Sequence, residues 1–430
     1  MSQKSITAAI CGFGSRGGDA YASYARFFPE QLKIVAMADP DPAKREAARR
    51  EYGVAPEYCF ENGEQLLAAG RLADVMIIAT MDTQHICYAI PALQKGYHLL
   101  LEKPISPNLQ ECLRLQEEAH RQGRIVVVCH VLRYTPFYQK IHELLRENAI
   151  GRLQTLEATE NVAYWHFAHS FVRGNWRRDD ESSPLILQKS CHDMDILRWL
   201  AGSRCLRLSS YGSLDWFRAK NAPDPEAVRC LDGCSCKDAC PYDCEKIYID
   251  SPKTGIRAGH SGWPCNVVAI QPTEEKLYEA LRTGPYGRCV YRCDNNVADH
   301  QTVHMEFEGG ITASFTLSAF TENCYRTLRA TGSAGELEGN MAENTICLRL
   351  FGQPEQIIRL DALDDRFAGH GGGDFRMMDS LCQLLQGGDS QALTSIDASV
   401  ESHVMAMAAE YSRLHRGESV ELDSFIQAAK

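Results

Sequence analysis

Three short stretches of the chain hold residue types at spacings that suit chemistry. The first is Gly12-Phe13-Gly14-Ser15-Arg16-Gly17, a G-x-G-x-x-G directly after the apolar run of residues 6–11. Glycine at its first position permits a tight turn and at the second lets a pyrophosphate approach the backbone. At the third it lets a helix pack close to the strand, leaving the phosphates on the free amides of the helix start. The alternative is a glycine-rich turn that binds nothing. Asp39 decides between them, because it closes a second apolar run about 20 residues on, where a carboxylate accepts both ribose hydroxyls of an adenosine. It would also repel a 2′-phosphate, which favours NAD over NADP, with Arg16 and Arg45 near enough in sequence to soften that preference. The second stretch is Glu102-Lys103-Pro104, and the third is Gln188-Lys189-Ser190-Cys191-His192-Asp193-Met194-Asp195. A histidine such as His192, with an ordinary pKa near 6.5, suits proton transfer at neutral pH.

These residues need a frame. Apolar runs at residues 6–11, 32–38, 74–79, 98–101 and 124–129 alternate with helix-like segments, and they are continuously apolar, as strands buried on both faces are. Ser106 can cap a helix with Pro107 at its first position, with Leu109, Cys112, Leu113 and Ala119 on one face. Lys103 then stands at the carboxyl edge of a parallel sheet, where such folds bind ligands. Ser190 and Asp193 can form a capping box, so a helix is expected to start there with His192, Asp195 and Trp199 on one face. Beyond residue 132 the pattern turns to alternation. Val303, Met305 and Phe307 alternate with polar residues, Gly309 and Gly310 turn the chain, and Ile311, Ala313, Phe315 and Leu317 alternate on the return, an antiparallel hairpin. Further strands are expected at residues 153–163, 206–214, 326–330 and 346–351, in a sheet with one side free to hold substrate.

The glycine fingerprint, Asp39 and Glu102-Lys103-Pro104 together resemble the glucose-fructose oxidoreductase and inositol dehydrogenase family, also called Gfo/Idh/MocA. The resemblance implies an α/β chain: an N-terminal Rossmann domain with a doubly wound parallel sheet, and a C-terminal α/β domain whose open, mostly antiparallel sheet faces the nicotinamide. It further implies that Glu102 and Lys103 adjoin the cofactor and that Lys103 lies beside the substrate hydroxyl. His192 matches the family's catalytic histidine, whereas Gln188 stands where the family usually has an aspartate. Glutamine can hydrogen-bond a sugar hydroxyl but cannot act as a base, so that aspartate's contribution is lost or moves to Asp193, Asp195 or Lys189.

Substrate contacts are expected from Lys189 and Asp195, from Arg133 and Tyr134 after the fifth strand, and from His166, His169, Arg173 and Trp176. Rings that stack on C–H faces, mixed with directional donors, are what sugars require. The alternative for each is a surface loop with buried anchoring aromatics. Asp374 is read as the N-cap of a helix after a flexible Gly371–Gly373 joint, and a last helix spans residues 396–414 with Val400, Val404, Met407, Ala408 and Tyr411 on one face. Both helices are taken as packing between domains, without chemistry. The expected division is a nucleotide domain over 1–131, a sheet domain over 132–370 with a cysteine-rich insertion over 221–250, and helices over 371–430.

That insertion holds Cys230, Cys234, Cys236, Cys240 and Cys244, with Cys265, Cys289 and Cys293 following. Zn²⁺ favours four thiolates in a tetrahedron and would staple a loop with few apolar residues; Cys230, Cys234, Cys240 and Cys289 are the first choice. Unligated thiols and an iron-sulfur cluster are the alternatives.

Composition limits the rest. The chain has 430 residues, 44% hydrophobic, with 45 Lys plus Arg against 56 Asp plus Glu for a net charge of −11, which disfavours nucleic acid and anionic membranes as partners. No run is long and apolar enough to cross a bilayer and no export signal is evident, so the 18 cysteines are read as reduced thiols in the cytoplasm. The leading expectation is an NAD-dependent dehydrogenase of a sugar, sugar acid or cyclitol, in a homodimer or homotetramer. The alternatives are a redox-neutral NAD-dependent glycosidase and a non-catalytic NAD-binding sensor.

Overall fold

Short β-branched and apolar runs, each followed by a helix, build the first sheet. Its strands are β1 (Ile6–Cys11), β2 (Leu32–Ala38), β3 (Cys59–Phe60), β4 (Val75–Ile78), β5 (His98–Leu101) and β6 (Val126–Val128). They lie in the order β3-β2-β1-β4-β5-β6, all parallel, and the direction of winding reverses between β1 and β4. Loops leaving the carboxyl ends on either side of that reversal diverge and leave a crevice, the usual ligand position in an open α/β sheet. The computed structural model describes residues 5–360, 369–387 and 392–430, so residues 361–368 of the expected sheet domain lie outside the described residues.

The second sheet contains β7 (Leu153–Ala163), β8 (Cys205–Ser213), β9 (His300–Phe307), β10 (Thr312–Thr321), β11 (Tyr325–Gly332), β12 (Gly335–Asn340), β13 (Thr345–Leu350), β14 (Gln356–Arg359) and β15 (Val420–Glu421). Their order is β14-β13-β12-β11-β7-β10-β9-β8-β15, antiparallel except for the central β7–β10 pair. The expected hairpin is present, with Val303, Met305, Phe307, Ala313, Phe315 and Leu317 all buried and Gly309 and Gly310 at φ 83° and 84° in its turn. Burial alternates along these strands because one face packs on helices. The other face carries Thr155, Glu157, His304, Glu306 and Ser314 around a shallow depression. That free face does not border the crevice at β1 and β4, contrary to the expectation that it holds substrate.

Several local expectations are corrected. The helix after β5 runs Leu109–Gln122 and is capped by Asn108; the Ser106 hydroxyl instead donates to Glu111 and accepts from the Asn108 amide. Pro107 therefore precedes the helix. The helix Cys191–Ala201 has no side-chain cap, and the Ser190 hydroxyl is buried without a partner, because Asp193 turns to Arg326. The helix Gly373–Leu385 starts after Gly372 at φ 85°, so Asp374 lies within its first turn and caps nothing. The last helix, Ile396–Leu414, has the expected bounds, and Val400, Val404 and Ala408 of its expected face are buried, but Tyr411 is 39% exposed and Ser399, Ser402, His403 and Ala406 are fully buried as well. It packs against both the helix Leu109–Gln122 and β8, and so does bridge the two sheets. Small residues on several sides let the neighbouring elements approach closely.

Candidate active site

The glycine turn leaves β1 with each glycine in a distinct role. Gly12 has φ 89°, and a Cβ there would lie 2.5 Å from the Ala79 carbonyl oxygen; one on Gly17 would lie 2.0 Å from that of Gly12. Gly14 meets nothing nearer than the Lys44 Nζ at 4.0 Å, which leaves its backbone open to a ligand. Ser15 is exposed and Phe13 is buried. The following segment, Ser15–Ala22, is π-helical before a regular turn over Ser23–Phe27. The Asp39 carboxylate accepts from the amides of Phe13 (2.8 Å) and Asp41 (2.9 Å), which locks it beside the turn. Arg45 spends its guanidinium on the Asp39 and Pro40 carbonyls. An open Gly14 backbone, a helix start and a fixed carboxylate suit the pyrophosphate and ribose of NAD. Gly17→Ala is expected to cost about 1–3 kcal/mol of stability by overpacking and to weaken NAD binding, as thermal melting and calorimetric titration would record; unchanged affinity would contradict this close packing.

Arg16 does not extend into open space. Its guanidinium bonds Glu102 (2.7 Å) and Asp374 (3.2 Å), and it also contacts Tyr21. Burial would push the Glu102 carboxyl up, but Arg16, Lys103 and hydrogen bonds from Arg16 and Tyr21 outweigh it and hold it below the usual range. His370 donates from Nδ1 to Asp374 at 2.8 Å. Asp374 is thus part of the wall beside the glycine turn.

From there a cleft of about 170 Å³ runs between the two sheets. Lys103 projects into it from the end of β5, and its Nζ donates to the Gln188 carbonyl at 2.7 Å. Burial, with Lys189 and Arg16 adding to it, lowers the Lys103 pKa despite opposing Cys191 and Glu102. His192 lines the same cleft and is 6% exposed; its Nδ1 has no hydrogen-bond partner. Burial, then the charges of Lys103, His130, Arg326 and His370, push its pKa well below 6.5, which keeps the ring neutral. Gln188, Lys189, Trp176 and Arg326 complete the side of the cleft facing Lys103. Lys189 pairs with Glu160 at 3.2 Å, and Arg326 bridges Glu160 (2.7 Å) and Asp193 (2.8 Å). Across the cleft floor, Ser183 donates to Asp82 at 2.6 Å.

Lys103, His192, Lys189, Trp176, Glu102 and Arg16 are therefore brought together, and six expected substrate contacts are not. Arg133 forms a buried pair with Asp195 through bonds of 2.6 and 2.7 Å and stacks over Trp199, so both are spent on packing the Cys191–Ala201 helix. Tyr134 bonds Thr394, and His169 bonds the Tyr248 hydroxyl. Arg173 is 1% exposed and reaches the Arg288 and Tyr242 carbonyls. His166 lies outside the cleft wall, with its Nδ1 at 3.3 Å from Cys324. Sequence reasoning overlooked Glu160, Arg326 and Asp82. Glu160 had a signal: it shares the inward phase of Leu156, Ala158 and Val162 along β7, where an unpaired carboxylate would not be buried.

A parallel sheet with a glycine turn at its reversal, joined to a mixed sheet that closes a lysine- and histidine-lined cleft, defines a dinucleotide-dependent oxidoreductase fold. Residues 6–130 match the oxidoreductase family with an NAD-binding Rossmann fold, and residues 138–228 match the GFO/IDH/MocA C-terminal domain. The chain belongs to the Gfo/Idh/MocA oxidoreductase family. Among curated relatives, the putative oxidoreductase YteT of Bacillus subtilis is 25% identical over 86% of this chain and 87% of its own length. Inositol 2-dehydrogenase of Corynebacterium glutamicum is 27% identical over 47% of this chain and 56% of its own. An inositol dehydrogenase homologue from Azotobacter vinelandii, solved with NADH and myo-inositol, superimposes with a TM-score of 0.68 at 17% identity over 97% of this chain and 98% of that one. An Agrobacterium radiobacter oxidoreductase solved with NAD+, L-tartaric acid and magnesium gives 0.68 at 13% identity, covering 98% and 99%. Among the described residues no helix is long and apolar enough to cross a membrane.

Proposed function

We propose that the protein is an NAD-dependent dehydrogenase acting on a secondary alcohol of a sugar, sugar acid or cyclitol. The observation that carries this reading is the convergence of Lys103 and His192 on one cleft beside the glycine turn. NAD, when bound along residues 12–17 and Asp39, supplies the hydride acceptor. The chain's own residues handle the proton and the oxygen. The neutral His192 ring accepts the hydroxyl proton, and the Lys103 ammonium, oriented by the Gln188 carbonyl, stabilises the negative charge that develops on the oxygen. Trp176 offers a ring to a sugar C–H face, while Gln188 and Lys189 offer hydrogen bonds to hydroxyls. The inositol dehydrogenases among its relatives support a polyhydroxylated substrate.

The test is incubation with NAD and panels of free sugars, sugar acids, cyclitols and chromogenic glycosides, following NADH and aglycone together. Stoichiometric NADH supports the dehydrogenase. Aglycone without NADH would replace it with the redox-neutral glycosidase, a reading favoured by Gln188 occupying the cleft where a carboxylate base is usual. Tight NAD binding without either product would leave a sensor. On the cofactor side, NAD should bind more tightly than NADP, and Asp39→Ser should narrow the ratio by about tenfold. An unchanged ratio in parallel titrations would remove the role given to Asp39.

A further inference from the structure

The cysteines of the 221–250 insertion lie away from the cleft, and three of them line a cavity together with Cys289. Cys230, Cys234, Cys240 and Cys289 line one enclosed cavity of about 20 Å³. The first three come from the loop after β8, and the fourth arrives from nearly 50 residues later in the sequence, at a short turn beginning with Val290. The two segments are held in register by the Cys230 amide, which donates to the Gly287 carbonyl at 3.0 Å, and by the Cys289 amide, which donates to the Val228 carbonyl at 2.9 Å. Of the neighbouring thiols, Cys293 donates to the Cys289 carbonyl and Cys265 to the carbonyls of Tyr248 and Thr254, whereas Cys244 shares a hydrogen bond with Cys230.

A buried cation on the cavity wall makes a second, independent observation. Arg173 is fully enclosed, places its Nη2 3.5 Å from the Cys230 sulfur, and has an Nη1 without a hydrogen-bond partner. Among the described residues no carboxylate lies within salt-bridge distance of it, although Asp243 on the same wall attracts it from farther off, and a buried guanidinium without a close counter-charge is costly. Negative charge at the cysteines would compensate it, whereas four neutral thiols would not.

We propose that Cys230, Cys234, Cys240 and Cys289 bind one structural Zn²⁺ ion. Four thiolates around Zn²⁺ carry a net charge of −2, which offsets Arg173, and the thiol protons leave to solvent as the metal enters. The cavity volume, about 20 Å³, suits a single ion better than an iron-sulfur cluster. About 20 Å³ accommodates one atom-sized guest, since a water needs about 10–15 Å³ of such space, and an eight-atom cluster needs far more. Among the described residues no three of these sulfurs lie within 4.8 Å of one another, so side-chain rotation must bring them inward to reach Zn–S distances of about 2.3 Å. A competing group exists in Cys230, Asp243 and Cys244, whose ligand atoms lie within 4.8 Å of one another. It offers three ligands, and its Asp243 already accepts from the amides of Glu245 and Lys246. The functional consequence runs through Arg173, which ends the π-helical turn Ala168–Arg173 just before Trp176 at the cleft. Zinc at the cysteines fixes the segment that presents Trp176.

The experiment is metal analysis of the full-length protein with X-ray absorption at the zinc edge. The expected result is about one zinc per chain in an all-sulfur shell near 2.3 Å, retained in Cys244→Ser and lost or converted to a three-sulfur shell in Cys289→Ser. If Cys289→Ser is insoluble, titration of the unmodified protein with a mercurial replaces it, and zinc should appear with the reaction of four thiols. Protein without zinc even after zinc is supplied during expression, iron with labile sulfide, an oxygen- or nitrogen-containing shell in the unmodified protein, or zinc lost in Cys244→Ser but unchanged in Cys289→Ser would each overturn the assignment.

Discussion

His192→Asn is expected to lower turnover by at least about 100-fold, the lower range for removal of a general acid-base group, while NAD binding stays intact. Asparagine fills nearly the same space and keeps a polar group at the cleft, but it cannot take a proton. The pH profile separates catalysis from architecture. In the unmodified enzyme, kcat/KM should fall on the acid side as His192 is protonated, and that limb should lie well below pH 6.5 because burial and the charges of Lys103, His130, Arg326 and His370 disfavour the imidazolium. On the alkaline side it should fall as Lys103 loses its proton, below the ordinary lysine value near 10.5, because burial disfavours the ammonium. His192→Asn should leave the alkaline limb and, over the pH range in which circular dichroism shows both proteins folded, abolish the acid one. Near-normal turnover, or an acid limb that survives the substitution within that range, would sink the assignment.

Mild acid should destabilise this protein. His130, His169, His192 and His403 are all buried, and burial lowers the pKa of each; for His169 and His403 it falls to about 3. In the unfolded chain the same rings titrate near 6.5. Between the two values the unfolded state holds more protons, so stability is complete above pH 6.5 and is lost progressively as pH falls below it. At pH 5, His169 and His403 each cost about 2 kcal/mol. Their sum, about 4 kcal/mol before His130 and His192 are added, is a large part of the 5–15 kcal/mol typical of a folded protein. Thermal melting from pH 7.5 to 5 should show a falling midpoint that starts near pH 6.5. A midpoint constant across that range would mean the rings are not held neutral.

The nucleotide-binding half was legible because its signals are local. Continuous apolar runs mark doubly covered strands, and Gly12, Gly14 and Gly17 declare their steric roles by spacing alone. The two-residue strand Cys59–Phe60 was missed because two residues carry no periodicity. The sheet half was partly legible: β7 has its expected bounds, and the hairpin between β9 and β10 follows from alternation. The polar partners were not. Arg133 and Asp195 look available for substrate in the sequence, and only the tertiary fold brings them within 2.7 Å of each other. Arg173 likewise sits among aromatic residues in the chain, yet it points toward the cysteines. A side chain's spacing reveals its face, while its partner across 60 or more residues depends on how the sheets dock. The Ser190 cap failed for a similar reason, since Asp193 gains more from Arg326 than from an amide at its own helix start.

The contact between Arg16 and Asp374 joins residues 358 positions apart in the sequence. Within the nucleotide domain Arg16 already bonds Glu102 and Tyr21, so the segment around residue 374 adds a carboxylate to a wall that the domain has begun. The surroundings of the glycine turn are thus completed by long-range docking rather than by local folding.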